Sequence, residues 1–175
     1  MDRVTNKQLA MMPIEFKLNG RSVIGRPDET LIETAGKNGV EIPRLCYMPG
    51  LRPDGNCRAC VVEVKGERVL AASCCRKPAK GMEVITDNER ALHSQKMVLE
   101  LLLSDMPKER HTLASELDQW AAKLKVGSPR FAPRHQPRAD LSHYGIAVNL
   151  DSCIQCTRCL RACREEQESR LTAMP

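Results

Sequence analysis

Nine cysteines dominate this sequence of 175 residues, and eight of them fall in two blocks with different spacing. The first block has the pattern C-x10-C-x2-C-x13-C and consists of Cys46, Cys57, Cys60 and Cys74. The second has the pattern C-x2-C-x2-C-x3-C and consists of Cys153, Cys156, Cys159 and Cys163. Thiolates at such spacings are ligands of iron–sulfur clusters, and each pattern suits its own cluster type. The sequence therefore predicts an electron carrier or a part of one.

Composition favours metal ligation over disulfide bonding for these cysteines. Apolar residues make up 42% of the chain but aromatic residues only 3%, and such a thin core often depends on a metal or a disulfide. No secretory signal follows Met1, and no stretch approaches the roughly 20 apolar residues of a membrane span. We therefore expect a cytoplasmic protein, in which clustered cysteines favour metal or redox roles. The net charge is +5, but the basic residues are scattered and do not form the basic and aromatic pattern of a nucleic-acid surface.

Hydrophobic patterns predict a mixed α+β fold. Ile14–Leu18 and Arg21–Gly25 alternate as strands do, and the Asn19-Gly20 pair between them is a strong hairpin-turn signal. A helix over Leu31–Lys37, capped by Asp28 or Thr30, is expected to follow. Further elements are predicted as strands at residues 61–64, 68–72, 82–86 and 146–150 and as helices at residues 88–103 and 113–124. The first part of this order suggests a small β-grasp sheet with a helix across it.

The first cysteine block fits a plant-type [2Fe–2S] site, which takes three thiolates from one loop and a fourth after a strand pair. Cys46, Cys57 and Cys60 lie on one loop rich in Gly and Pro, and Cys74 follows the strand pair. A zinc site is the alternative, but four-cysteine zinc sites usually pair two short C-x2-4-C hooks, and this block has one. Cys75 is expected to be a small flanking residue that could replace Cys74 in a mutant.

Residues 13–104 resemble the N-terminal [2Fe–2S] domain of the large iron–sulfur subunit of NADH dehydrogenase, of iron hydrogenases and of soluble formate dehydrogenases. The resemblance rests on a first cysteine, about ten intervening residues, a G-x-C-R-x-C motif at 55–60 and the fourth cysteine at 74. In those relatives a His and three cysteines follow and bind a [4Fe–4S] cluster. Here Met106 stands at the place of the His, no cysteine lies between Cys75 and Cys153, and His111 is expected to be solvated.

That loss narrows the resemblance to the catalytic (alpha) subunits of molybdenum- or tungsten-dependent, NAD-linked formate dehydrogenases. The residues that carry it are L-E-L-L-L-S-D-M-P at 99–107, S-E-L-D-Q-W-A at 115–121 and P-R-F-A-P-R at 129–134. The resemblance implies electron transfer from a molybdopterin-containing domain or subunit towards a flavin- and NAD-binding iron–sulfur subunit. Neither site lies in this chain, so no catalytic residue is assigned to it.

The second block is a bacterial-ferredoxin motif, for which Cys153, Cys156, Cys159 and Cys163 are the candidate [4Fe–4S] ligands. In two-cluster ferredoxins the fourth cysteine of such a run ligates the other cluster, and the matching second run is absent here. Three alternatives stay open. The chain is a fragment of a longer subunit, or Cys163 closes a single cubane, or the block is empty or holds a labile [3Fe–4S] cluster.

The sequence thus predicts an α+β chain with a plant-type ferredoxin-like β-grasp domain, a helical connector and a partial bacterial-type ferredoxin segment. The predicted segments are an N-terminal extension (1–12, with Met1, Met11 or Met12 as the start), the [2Fe–2S] domain (13–88), the connector (89–127), a Pro-rich linker (128–145) and the [4Fe–4S]-type segment (146–175). The alternative functions are a small diaphorase or hydrogenase subunit, a stand-alone ferredoxin, and a zinc-stapled binding module without a redox role.

Overall fold

The computed structural model describes residues 12–107, 115–136 and 138–165. Within these residues the chain forms two compact units, one comprising 12–95 with 157–165 and the other 96–156. None of the described helices is long and apolar enough to cross a bilayer.

The first unit is built on a five-stranded sheet. Its strands are β1 (Ile14–Leu18), β2 (Arg21–Gly25), β3 (Val61–Val64), β4 (Ala71–Ala72) and β5 (Glu83–Ile85), in the spatial order β2-β1-β5-β3-β4. β1 pairs with β5 in parallel, and the other neighbours are antiparallel. Asn19 and Gly20 both have positive φ, 49° and 80°, as a tight hairpin turn that follows the twist of its strands requires.

Helix α1 (Leu31–Lys37) covers this sheet. Its first turn is closed by Glu33, whose carboxylate accepts hydrogen bonds from the backbone N–H and the hydroxyl of Thr30 at 2.7 and 2.8 Å. The helix buries an apolar face against the sheet, so α1 and the strands share one core. The main members of that core are Phe16, Leu18, Val23, Leu31, Ile32, Ala35, Val62, Val64 and Val84.

Helix α2 (Glu89–Ser104) is capped by Asn88, whose side-chain oxygen accepts a hydrogen bond from the Ala91 N–H at 2.9 Å. In the first unit, the buried Gln95 amide of this helix donates to the Val61 carbonyl of β3 at 2.8 Å. The second unit contains α3 (Glu116–Lys123), capped by Ser115, and a hairpin of β6 (Asp140–His143) and β7 (Ile146–Val148). Helix α4 (Arg158–Glu165) belongs to the first unit.

The predicted α+β ferredoxin-like fold class is confirmed, and the structure corrects two local expectations. The strand predicted at 68–72 is reduced to Ala71–Ala72, because the Arg58 guanidinium binds the Leu70 carbonyl at 3.2 Å in place of a strand partner. Strand β6 lies inside the predicted linker, and its wholly exposed side chains explain why no hydrophobic alternation marked it. His111 and residue 113 fall outside the described residues, and the predicted domain boundaries stay predictions.

Candidate metal centre

The fold brings the four cysteines of the first block together. Three of them, Cys46, Cys60 and Cys74, are almost completely buried, and Cys57 is half-buried. Their thiols form a chain of contacts in which Cys46 touches Cys57 and Cys74, and Cys74 touches Cys60. In the described part of the chain, no three His, Cys, Asp or Glu side chains form a site for a single metal ion. The four thiols thus form one chain of contacts, in the order Cys57, Cys46, Cys74 and Cys60.

Backbone conformation turns peptide N–H groups towards these sulfurs. Gly55 and Arg58 both adopt left-handed conformations, with φ of 63° and 59°. The Cys46 thiol accepts hydrogen bonds from the backbone of Cys57 and Asn56, and the Cys46 N–H donates to the Cys57 sulfur at 3.3 Å. Successive N–H groups around a left-handed residue make an anion-binding concavity, an arrangement common at iron–sulfur sites. The loop is thus shaped to hold thiolates.

The contacts between the thiols shift their pKa values in opposite directions. Hydrogen bonds from the thiols of Cys57 and Cys74 lower the pKa of Cys46 to about 2, and a hydrogen bond from Cys74 lowers the pKa of Cys60 to about 7. The same contacts, together with burial, raise the pKa values of Cys57 and Cys74 above the ordinary range. All four sulfurs can be anionic together only when positive charge lies among them. The donor set therefore fits a metal cluster with cysteine ligands.

Residues next to the fourth cysteine lock the far side of the site. The buried Ser73 hydroxyl donates to the Cys60 carbonyl at 2.7 Å, which ties the loop to the strand that delivers Cys74. The Cys75 sulfur is exposed and lies 3.7 Å from the Cys74 sulfur. A Cβ atom at Gly55 would approach the Cys75 sulfur to 2.9 Å, so only glycine fits there without movement. Sequence reasoning identified the glycine but gave no signal for this contact.

The second block is more open than the first. Cys153, Cys156 and Cys163 are half-buried and Cys159 is exposed. Its first two cysteines lie in the second unit and its last two in the first unit. The Gln155 N–H donates to the Cys153 sulfur at 3.4 Å, and Gln155 has a φ of 54°. The half around Cys153 thus has a local feature of a cluster loop, while [4Fe–4S] ligation by the whole block stays a prediction.

In each block, an arginine binds the backbone carbonyl of the first cysteine. Neither of these two arginines was identified from the sequence. Arg161 of α4 donates to the Cys46 carbonyl, and Arg134 donates to the Cys153 carbonyl at 2.8 Å. The only sequence signal was a general excess of basic residues near 130–138 and 158–164, which could offset thiolate charge. Contacts over 115 residues of sequence are set by tertiary folding, so no local pattern could assign them.

Residues 11–89 match the family described as the 2Fe-2S iron–sulfur cluster binding domain. This part of the chain belongs to that family. The match covers the whole first block and every strand of the five-stranded sheet. A [2Fe–2S] cluster is therefore the cofactor that this domain type binds.

Curated relatives extend the similarity over most of the chain. The NADP-reducing hydrogenase subunit HndD of Solidesulfovibrio fructosivorans is 33% identical over 170 residues, which is 90% of this chain and 28% of that protein. The mitochondrial NADH-ubiquinone oxidoreductase 78 kDa subunit of Candida albicans is 34% identical over 164 residues, covering 90% of this chain and 22% of that protein. The chain thus spans 28% and 22% of the lengths of these two relatives.

Two further relatives are nearer in length. The NAD-reducing hydrogenase HoxS subunit gamma of Cupriavidus necator is 28% identical, and the match covers 91% of this chain and 69% of that subunit. A solved structure of an NAD+-reducing [NiFe]-hydrogenase in the H2-reduced state has a chain that matches 87% of this one with a TM-score of 0.77. The identity there is 30%, and 67% of that chain is covered. The similarity therefore reaches well beyond the [2Fe–2S] domain.

Proposed function

We propose that this chain is an iron–sulfur electron-transfer segment of a multi-subunit oxidoreductase and that Cys46, Cys57, Cys60 and Cys74 ligate its [2Fe–2S] cluster. The chain of contacts among these four thiols, inside a domain of the [2Fe–2S] family, is the observation that carries the proposal. Four thiols in one chain of contacts suit two iron atoms, because each iron of such a cluster takes two thiolates. When bound, a plant-type cluster supplies one-electron transfer at a potential of roughly −400 mV.

The residues of this chain prepare the site by binding, orientation and exclusion of water. N–H groups of the 55–60 loop point at the sulfurs, Ser73 fixes the loop against the strand of Cys74, and three of the thiols are almost fully buried. A buried, preorganised set of dipoles lowers the rearrangement that accompanies a change of charge at the site. The chain has no catalytic site of its own in this proposal, and cytoplasmic localisation stays a prediction.

The finer proposal is an alpha subunit of a molybdenum- or tungsten-dependent formate dehydrogenase, with a molybdopterin-containing domain and a flavin- and NAD-binding subunit as partners. The segments that carry this resemblance contact each other in the second unit. The Arg130 guanidinium donates to both oxygens of Glu100 at 2.7 and 2.8 Å, and the Arg134 N–H donates to Asp105 at 3.0 Å. These pairs join the L-E-L-L-L-S-D-M-P and P-R-F-A-P-R segments, so the residues that carry the resemblance also bind each other.

An electron-transfer subunit of an NAD-linked hydrogenase is the second candidate. It is supported by the similarity to the HoxS gamma subunit and to the solved hydrogenase chain. Against it, the sequence lacks the His and three cysteines of the additional [4Fe–4S] site, and Met106 stands in place of the His. Both candidates assign the same role to the first block, and they differ in the enzyme that supplies electrons.

Metal analysis tests the shared role first. The chain is purified without oxygen, its iron, zinc and acid-labile sulfide are counted, and EPR spectra are recorded after reduction with dithionite. We expect about two irons and two sulfides with one rhombic S = 1/2 signal from the first block. About six irons with a second, fast-relaxing signal would add a cubane in the second block. Zinc without iron would overturn the proposal in favour of a zinc-stapled module.

The electron donor distinguishes the two finer candidates. A tagged chain is isolated with its partners from its own cells, and the complex is analysed for molybdenum, tungsten and nickel. For a formate dehydrogenase we expect molybdenum or tungsten, and formate should generate the [2Fe–2S] EPR signal. Nickel together with reduction by H2 and not by formate would establish the hydrogenase alternative instead.

A further inference from the structure

Helix α4 buries one charged side chain and no apolar one. Arg161 is 2% exposed and is the only residue of α4 classed as buried. Removing a guanidinium from water costs several kcal/mol unless its N–H groups find good acceptors. A helix that buries a cation in place of a Leu or Val is therefore held by polar contacts at that point, and those contacts define what the residue does.

The guanidinium of Arg161 joins two points of the first cysteine loop. Its two terminal nitrogens donate to the carbonyl of Cys46 and, at 2.6 Å, to the carbonyl of Arg52. Its Nε donates to the Thr157 hydroxyl at 3.2 Å, and that hydroxyl donates to the Asp54 carboxylate at 2.8 Å. The planar fork of arginine can hold two carbonyls in fixed positions, which a lysine ammonium does less well.

Neighbouring residues of α4 bind the same loop. The Arg158 guanidinium donates to the Tyr47 carbonyl at 2.9 Å, and the Glu165 carboxylate accepts from the Arg52 N–H at 2.8 Å. The carbonyls of two consecutive residues, 46 and 47, are therefore both bound by arginines of one helix. The loop segment 46–54 thus depends on α4 for its shape as well as on its own backbone.

We propose that Arg161 is a positioning residue of the first-block site, which holds the loop of Cys46 in place and makes the [2Fe–2S] cluster easier to reduce. The inference rests on the proposed ligation by the first block. Reduction adds one negative charge, and a cation bound to the carbonyl of a ligand residue stabilises the more negative state. Because Arg161 is buried, its charge is screened much less by water and salt than that of a surface arginine.

The position of Arg161 in the sequence links the two cysteine blocks. It lies between Cys159 and Cys163, so the helix that carries the last two cysteines of the second block also supports the site of the first block. If helix α4 unfolds or shifts, we therefore expect the loop of Cys46 to change its shape, even when all four first-block thiols are intact.

Three variants of the full chain test the proposal. R161Q removes the buried charge, R161K keeps the charge without the fork, and R164Q removes an exposed arginine of the same helix as the matched control. The readouts are the midpoint potential, from EPR-monitored titration with dithionite and mediators, and the rate of iron release to a chelator. For R161Q we expect the reduction equilibrium to fall about tenfold, which is a midpoint about 59 mV lower.

The control and the lysine variant complete the expected pattern. R164Q should shift the equilibrium by less than about twofold, because exposed charges are strongly screened. R161K should keep most of the potential but release iron faster than the unmodified chain. An R161Q midpoint equal to or above that of the unmodified chain would overturn the proposal. If R161Q takes up no cluster, R161K decides: iron release at the unmodified rate would also overturn it.

The unmodified chain separates this inference from the function beneath it. Absence of a [2Fe–2S] signal in the unmodified chain would contradict the proposed ligation, irrespective of any variant. A normal signal there, combined with equal midpoints in R161Q and R164Q, would contradict only the role of Arg161.

Discussion

The two cysteine blocks share local chemistry but differ in how the fold closes around them. In both, left-handed residues turn N–H groups towards sulfur, and an arginine binds the carbonyl of the first cysteine. In the first block the fourth cysteine, Cys74, arrives from a distant strand pair and is fully buried. In the second, Cys163 lies on helix α4, the same helix that carries Cys159, and is half-buried. How deeply a cysteine site is buried therefore depends on chain segments outside the cysteine motif.

The difference also concerns which packing stabilises each block. The first block lies on a sheet whose core contains Cys60 and Cys74 among apolar side chains, so burial holds these thiols in place. At Cys153 the sulfur accepts a hydrogen bond from the Gln155 N–H and the carbonyl accepts one from Arg134. We infer that the first site is formed largely by the fold itself, while the second relies more on what binds there.

Removal of the fourth thiol is expected to give the largest effect. Cys74→Ser in a chain that also carries Cys75→Ser should abolish the [2Fe–2S] signal and nearly all first-block iron. A hydroxyl is a poor substitute for a buried thiolate ligand, and the neighbouring thiol can then no longer replace it. Cys75→Ser is the matched control and should keep the cluster, since the Cys75 sulfur is exposed. Iron and sulfide counts with EPR check both variants. If C75S loses the cluster and C74S keeps it, the assignment of the two neighbouring cysteines is reversed.

Thiol labelling tests the difference in burial between the cysteines of the two blocks. When the chain is treated briefly with iodoacetamide and digested for mass spectrometry, Cys75 and Cys159 should label roughly tenfold faster than Cys60 and Cys74, because reaction requires an accessible thiolate. Addition of a strong chelator beforehand shows how much protection comes from metal. Protection of Cys159 that disappears with the chelator would break the contrast, since it would show a metal in the second block.

A glycine substitution tests how closely the first loop is packed. Gly55→Ala combines a left-handed φ with a contact of 2.9 Å to Cys75, and should destabilise the fold by about 2–4 kcal/mol. Gly20→Ala is the control, because its φ is also positive but its added Cβ meets nothing within 4 Å, and about 1 kcal/mol is expected. Denaturant unfolding measures both. Equal losses in the two variants would contradict a role for the Cys75 contact.

Much of the sheet could be predicted from the sequence because its signals are local. Strands β1 and β2, the Asn19-Gly20 turn and helix α1 occur within the predicted bounds, since alternation, turn residues and caps act over a few positions. The shortened β4 could not be predicted, because it depends on the Arg58 side chain at Leu70. The hairpin strand β6 gave no signal, because its side chains face solvent.

At the candidate site too, the sequence predicted the features with local signals and missed those that depend on tertiary contacts. The spacing alone identified the four first-block cysteines, which the fold brings into contact. It gave no information about Arg161, whose partners Cys46 and Arg52 are more than a hundred residues away in sequence. The candidate ligands are thus encoded in the motif, whereas the residues that support them are set by tertiary contacts between distant segments.

The smallest expected effect concerns the polar support near the second block. The Arg130 side chain binds both oxygens of Glu100, and this lowers the pKa of the Glu100 carboxyl from 4.5 to about 2. A carboxyl whose pKa is lowered by folding contributes stability fully above its unfolded pKa and loses it as pH falls towards the folded value. The contribution should therefore be complete at pH 6 and decline between about pH 4.5 and 2.

Hydrogen exchange in segment 128–136 detects this change, because the segment is anchored at Arg130 and carries Arg134 to the Cys153 carbonyl. Glu100→Gln should raise exchange there modestly at pH 6, and its difference from the unmodified chain at the same pH should shrink as the pH approaches 2. The effect is small, since the Arg130 side chain is 68% exposed and its ion pair is screened by solvent. Exchange in strand β1 should not change in either chain. A difference between the two chains that persists undiminished near pH 2 would mean that the carboxylate charge of Glu100 does not stabilise this segment.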